Sequence, residues 1–390
     1  MSSHDIVLLS TADWDNPFWT NKQHVAMELA RTGHRVLYID SLGLRRPSAS
    51  ARDLVRMGKR LFKAARPPRK VRDNLWVWSP IVLPWHGNPT IRKINRLLLN
   101  SGLWISLKIL KMRKDWLWTY NPLTTEFFNF STYTQSIYHC VDEIKAQPGM
   151  PVTTLENAEK KLALQVNIIF TTSPQLTETR KLWNSNTHYL PNVADFNHFA
   201  SARAEHTKIP ADISSISGPR IGFIGAISGY KVDFHLLREI AIARPEWSIV
   251  LIGDVGEGDP WTDSSQLKGL ANIHLMGPRP YESLPAYLKG LDVALLPNNV
   301  NEYTDSMFPM KFFEYLSAGK PVVSVNLKAI QDFSSVASIV NSKEDFIKAI
   351  ENALNGGAPP LDQRLETAQK FTYESRTQTM LNLIEEGIST

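Results

Sequence analysis

Short, unbroken apolar runs recur along the chain, and between them apolar positions fall three and four residues apart. Residues 5–10, with Ile6-Val7-Leu8-Leu9, form the first run; 35–39, 115–120, 136–141, 168–172 and 187–190 follow. Runs apolar on both faces suit strands buried in a parallel sheet, and the wider spacing suits helices packed over it. Helices are predicted over 21–32, where Val25, Ala26, Leu29 and Ala30 share a face and Gly33 closes the end, and over 91–112 and 152–167. The alternation restarts at 220–225 and continues through 247–253, 273–276, 293–297, 322–325 and 338–340, with helices at 284–288, 343–354 and, as a pair, 361–387. Residues 200–218 and 298–309 lack either period and read as a linker and a polar loop. Strand and helix in turn, twice over, predict an α/β chain of two doubly wound domains, and 390 residues exceed one ordinary core.

Composition narrows the class. Hydrophobic residues make up 43% and charged residues 21%, as in a globular protein rather than a disordered one. Cys140 stands alone, which excludes a disulfide framework and a cysteine-rich zinc site and fits a reducing compartment. The start, Met1-Ser2-Ser3-His4-Asp5, has no basic leader and runs into a strand, so no signal peptide is expected. No apolar run is long enough to span a bilayer. Charge is lopsided: residues 45–114 hold 18 Lys and Arg against 2 Asp and Glu, +16 in a chain whose total is +5, which leaves −11 elsewhere. Within that block, 51–66 and 91–112 have helical apolar spacing and basic opposite sides. Basic amphipathic helices of this type lie on anionic membranes, so a peripheral position on the cytoplasmic face of a membrane is expected. No nucleic-acid motif accompanies the charge, and no nucleic-acid partner is expected.

One stretch concentrates the chemistry: Pro309-Met310-Lys311-Phe312-Phe313-Glu314-Tyr315-Leu316-Ser317-Ala318-Gly319-Lys320-Pro321-Val322-Val323. Pro309 suits a first helical turn, Gly319 a left-handed stop, and the valines a buried strand. Lys311 and Glu314, three residues apart, share a face. A lysine at a helix N-terminus draws anions, and a carboxylate accepts hydrogen bonds from vicinal hydroxyls. Phosphate and ribose together point to a nucleotide.

This segment resembles the donor-binding signature of GT-B glycosyltransferases of the GT4-like group (glycosyl transferases group 1), which reads roughly Pro-x-Lys-x-x-Glu-x-x-Ala-x-Gly-x-Pro-Val. The resemblance implies a GT-B architecture and transfer of a sugar from a UDP- or GDP-sugar to a hydroxyl of a glycan or lipid-linked acceptor. Lys311 would then meet the donor diphosphate and steady the leaving group, and Glu314 the ribose. The family often has a glutamate eight residues before Glu314; Ser306, beside Asp305, stands there instead. The amides of Asp305, Ser306 and Met307 are expected to face the diphosphate. Gly225, ending a strand, lets backbone approach a ligand, Lys231 supplies a nearby charge, and the turn at Arg279 meets the nucleobase. Residues 190–199, Leu-Pro-Asn-Val-Ala-Asp-Phe-Asn-His-Phe, resemble the family's interdomain passage. The domains are therefore set at 1–195 for the acceptor and 196–370 for the nucleotide-sugar, with 371–390 a helix crossing back to the first. The strand end Tyr138-His139-Cys140-Val141-Asp142 is similar to the Tyr-x-x-x-Asp strand end of exopolysaccharide and teichuronic-acid-type transferases. It makes Asp142 a candidate general base if the reaction inverts; if it retains, Asp142 or His139 orients acceptor or donor. Trp19, Gln23 and His24, in the loop and helix start after the first strand, are candidates for the acceptor side. No metal or other cofactor is expected. A nucleotide-sugar 2-epimerase and a non-catalytic scaffold of the same plan are the alternatives.

Overall fold

Residues 3–16, 19–42, 66–83, 89–259 and 261–389 are described by the structure, a computed structural model. The helix expected over 51–66 lies outside the described residues apart from Arg66. The apolar runs become two sheets. The first contains β1 (Asp5–Leu9), β2 (Arg35–Ile39), β3 (Arg69–Arg72), β4 (Leu75–Trp78), β5 (Trp116–Thr119), β6 (Gln135–Cys140), β7 (Ile168–Thr171) and β8 (Thr187–Tyr189), in the order β3-β4-β2-β1-β5-β6-β7-β8. All its pairings are parallel except that of β3 with β4. The second contains β9 (Arg220–Ile224), β10 (Ser248–Ile252), β11 (Ile273–Gly277), β12 (Val293–Leu296), β13 (Val322–Val325) and β14 (Ser338–Val340), all parallel, in the order β11-β10-β9-β12-β13-β14. In each sheet the strand order reverses beside the first strand, between β1 and β5 and between β9 and β12. Such reversals open a crevice at the carboxyl ends, where ligands bind.

Four helices matter most here: α1 (Asn21–Arg31), α2 (Pro89–Leu110), α3 (Lys311–Ser317) and α4 (Tyr373–Ser389). Val25, Ala26 and Leu29 of α1 join Met380, Leu381 and Ile384 of α4 over one face of the first sheet. The last helix thus packs among residues from the start of the chain. Leu99, Leu103 and Leu107 of α2 cover the other face, against Val7, Leu9, Leu37 and Leu117.

The structure corrects two expectations. Residues 200–218 are not a bare linker: short helical pieces at Ser201–Arg203 and Ala211–Ser214 seat Ala202 and Ile213 in the second core. Residues 298–309 are not a polar loop either. Asn301 caps a helical turn at Glu302–Asp305, and Tyr303 and Phe308 are buried. The β3–β4 hairpin was not anticipated: Arg69-Lys70-Val71-Arg72 carries almost no apolar signal, and the short apolar run of β4, Leu75-Trp76-Val77-Trp78, was passed over inside the basic block. A charged edge strand of this kind discourages pairing with another chain.

Beside β6 the first domain encloses an ionic cluster. Arg180 donates to both carboxylate oxygens of Glu143, at 2.6 and 2.9 Å, and to Glu159 at 2.8 Å, all three residues being buried. Replacing Arg180 with Met would strand two carboxylates in a dry interior, a change that costs about 3–5 kcal/mol when a buried pair loses one partner. Urea unfolding of Arg180→Met should show a loss of that size.

Candidate active site

The central stretch folds nearly as its residues dictate. Phe312, Phe313 and Leu316 bury α3 in the second core, and Tyr315 accepts the Ile224 amide at 2.9 Å, pinning the helix to the end of β9. Gly319, at φ +75°, closes it; a Cβ there would fall 2.9 Å from the Arg203 side chain. Pro309 lies just ahead of the helix, with its carbonyl accepting the Phe312 amide at 3.0 Å, rather than inside the first turn. Lys311 and Glu314 do share a face, and they hold each other: Lys311 Nζ donates to Glu314 Oε2 at 2.6 Å. Glu314 is buried while the lysine side chain stays 25% exposed, so the cation forms the outer member of the pair. Burial pushes the Glu314 carboxyl above its ordinary value, and the lysine opposes the rise.

Across the seam between the domains, Asp142 follows β6. Tyr303 of the second domain donates to its Oδ1 at 3.2 Å, and Lys22 Nζ of α1 stands 3.8 Å from Oδ2. Lys22 is nearly buried; that burial lowers its pKa, Asp142 counters, and Lys231 adds to the depression. Lys231 lies over the rings of Tyr230 and Tyr303, 5.2 and 5.3 Å from their centroids. Glu257 is raised by burial and drawn down by Lys231 and Lys311. The interactions run on from one to the next: Lys22 faces Asp142, Lys231 acts on Lys22 and Glu257, and Lys311 acts on Glu257 and Glu314.

The other sequence candidates divide. His24 is buried, stacked on Tyr373 at 4.2 Å and tilted toward Tyr281 of the second domain at 5.7 Å. Burial, with Arg376, His198 and Lys311 nearby, lowers its pKa to about 3, so the ring is neutral at ordinary pH. Trp19 packs edge-on against His24 and tilted against Trp14. Gln23 is not open to an acceptor: it is fully buried, its Oε1 accepts the Thr20 amide and its Nε2 donates to the Asp13 carbonyl. It caps α1. His139 also lies wholly inside the fold, bonded to Tyr120 at 3.1 Å and bordered by Trp118 and Phe170. It presents no surface to a substrate. Gly225 adopts φ +159° and lies so close to Gly253 that a Cβ on the latter would strike the Gly225 carbonyl. Arg279 turns its side chain to Asp212, 2.8 Å away, and to the Tyr287 hydroxyl. The expected diphosphate amides are engaged elsewhere. Those of Asp305, Ser306 and Met307 donate to the carbonyls of Asn301, Tyr303 and Thr304, because the capped turn consumes them. The Asp305 carboxylate lies 3.5 Å from Lys328, and the Ser306 carbonyl accepts the Ser173 hydroxyl across the seam at 2.9 Å.

Sequence reasoning missed Lys22, Tyr303 and a buried relay. In the relay, Arg376 of α4 donates to Asn21 Oδ1 at 2.7 Å, Asn21 to Asn192 at 2.8 Å, and Asn192 to the Phe308 carbonyl at 2.7 Å. Lys22 alone left a readable trace, a lysine among the first residues of a helix that begins at the ligand edge.

Residues 218–356 match the Glycosyl transferases group 1 family. The chain carries a group 1 glycosyl transferase domain. Over 139 residues it is 34% identical to TuaH of Bacillus subtilis (strain 168), named for teichuronic acid biosynthesis as a glycosyltransferase. The match spans about a third of that relative's length, 34%, and the same share of this chain. Among solved structures, the sucrose-phosphate synthase (tll1590) of Thermosynechococcus elongatus aligns over 99% of both chains with a TM-score of 0.69 at 16% identity. Anabaena Alr3699/HepE in complex with UDP-glucose aligns over 98% of this chain and 99% of its own, at 0.67 and 13%. The architecture is GT-B: two Rossmann-like domains with facing carboxyl edges.

The Lys311–Glu314 pair makes a pH-dependent contribution. Because the Glu314 carboxyl is raised in the folded state, the native protein holds that proton more tightly than the unfolded chain. The stability it contributes is present at low pH and declines as pH rises from the unfolded value of 4.5 through the raised one. Lys311→Ala removes the opposing cation and widens that window. Urea unfolding should show Lys311→Ala costing more at pH 8 than at pH 4.5, by about 1–3 kcal/mol.

Proposed function

We propose that this chain transfers a sugar from a nucleotide-sugar, a UDP- or GDP-sugar, to a hydroxyl of a glycan or lipid-linked acceptor. The observation that supports the reading is the Lys311–Glu314 pair, buried at its carboxylate, in a region that matches group 1 glycosyl transferases, with Asp142 held at the seam by Tyr303 of that same domain and by Lys22. A diphosphate entering the seam would take over the lysines that carboxylates now occupy. Lys311, with Lys231 and Lys22, would then face the negative charge that develops on the leaving nucleotide, the term on which such sites depend most. Glu314, released from Lys311, would accept the ribose hydroxyls. Asp142, across from the donor domain and partly exposed, would take the proton from the attacking hydroxyl. His139, Gln23 and the amides of 305–307 have no part in this scheme.

Surface-polysaccharide assembly on the cytoplasmic face of a membrane suits an acceptor of this kind, and the name of the Bacillus relative points the same way. No described helix is long and apolar enough to cross a membrane. With lysines carrying the diphosphate charge, turnover should need no divalent ion: treatment with EDTA is expected to leave the rate of UDP or GDP release in the presence of acceptor unchanged.

The two roles separate experimentally. Lys311→Ala should weaken UDP or GDP binding by roughly 10- to 150-fold, the worth of a lost charged hydrogen bond. Asp142→Asn should leave that affinity intact and lower turnover by about 100- to 10,000-fold, as when a general base is lost. Unchanged nucleotide affinity in Lys311→Ala would instead support a scaffold, and conversion of UDP-GlcNAc with no acceptor present would support an epimerase.

A further inference from the structure

The outward side of α2 is apolar where a surface helix is ordinarily polar. Its inward side is spent on Leu99, Leu103 and Leu107, all buried against the first sheet. Yet Ile94, Leu97, Trp104, Ile105 and Ile109 are exposed, Leu97 by 68%, Trp104 by 60% and Ile109 by 54%. At 100° per residue these positions fall within an arc of about 140°, a mainly apolar ridge along the helix in which Ser101 and Lys108 are also exposed. Scattered apolar residues on a surface need no explanation; five large ones along one side of a helix mark a contact.

Charge selects the occupant. Residues 89–114 contain seven Lys and Arg and no Asp or Glu. Lys93, Arg96, Lys108 and Lys111 are exposed, and Lys108 lies over the Trp104 ring at 5.3 Å from its centroid. A second copy docked on the same face would set this acid-free basic field against itself. An anionic bilayer meets both demands: its acyl boundary takes the ridge and its headgroups take the lysines. We infer that α2 seats the protein on an anionic lipid surface, the ridge entering the headgroup–acyl boundary and the flanking lysines contacting acidic headgroups.

The placement also serves the seam. The chain leaves β4 at the carboxyl edge of the sheet, runs along α2 and enters β5 at the opposite edge, so the N-terminal end of α2 lies on the side of the proposed reaction. The inference rests on the proposed reaction only for its purpose, which is to hold the first domain where a membrane-held acceptor would present its hydroxyl.

The test is co-sedimentation of the full chain with phosphatidylcholine vesicles, with and without 30% phosphatidylglycerol, from 0.05 to 0.5 M NaCl (roughly a threefold fall in Debye length). The chain should pellet with the anionic vesicles at low salt and be released at high salt. Trp104→Ser/Ile105→Ser should bind at least tenfold more weakly at constant charge, and Lys108→Gln/Lys111→Gln should lose roughly fivefold per charge. Ile105→Cys carrying an environment-sensitive fluorophore should shift to the blue on anionic vesicles; the native Cys140 is buried and would not be labelled. Failure to pellet at low salt, unchanged binding by the Trp104/Ile105 variant, or a concentration-dependent dimer abolished by that variant would each overturn the inference. UDP affinity is measured on the same proteins without vesicles. Vesicle binding without nucleotide binding would sink the proposed reaction and leave the lipid surface standing; the reverse would do the opposite.

Discussion

The geometry of the seam depends on one buried chain of hydrogen bonds, from Arg376 through Asn21 and Asn192 to the Phe308 carbonyl. Its members come from the last helix, the first helix, the passage between the domains and the approach to α3. Asn21, Asn192 and Arg376 are almost fully buried, so a broken link leaves a polar group with neither protein nor water to satisfy it. That asymmetry makes such a bond costlier to lose than its net worth of about 1 kcal/mol suggests. Phe308 lies three residues ahead of Lys311. The first domain thereby helps fix where α3 begins, and the last helix is part of the seam rather than an appendage.

Electrostatics gives the seam its second constraint. Lys22, Lys231 and Lys311 are gathered near Asp142, Glu257 and Glu314, and burial disfavours the charged form of Lys22, Glu257 and Glu314 alike. Charges held in such surroundings are costly unless each finds an opposite; here Lys22 faces Asp142 and Lys311 holds Glu314, while Lys231 lies over two tyrosine rings. In the proposed reaction a diphosphate would replace Glu314 as partner to Lys311, and the buried Glu314, left without its cation, would be met by the ribose hydroxyls. The cations would then already be in place when charge develops.

Most of this fold was legible because a parallel sheet buried on both faces writes itself as apolar runs. Residues 35–39, 338–340 and 343–354 match their elements to the residue. The Lys311–Glu314 spacing was equally plain, since three residues on a helix always meet. What escaped were features set by tertiary contact. Nothing local distinguishes Gln23 as a capping residue from Gln23 as a ligand; the Thr20 amide and Asp13 carbonyl decide it. Asp142 and Tyr303 lie 161 residues apart in sequence, and only the seam joins them. Asn298–Pro309 looked polar because its short turn buries two aromatic rings among polar neighbours, too few to set a period.

The two faces of the first sheet are used unequally, and the inequality has a physical reason. One face is closed by α1 and α4, both tied through Asn21 and Arg376 to the passage between domains. Any rearrangement of that face would disturb the seam, so it is poorly suited to bear an external contact. The other face is covered by α2, whose inward leucines suffice to anchor it and whose outward residues are free of that duty. An apolar ridge costs solubility wherever it is placed, but on α2 it supplies none of the hydrogen-bond partners of Asp142 or of the relay. Surface contact and seam geometry are thereby assigned to opposite faces of one sheet, with the rigid strands between them.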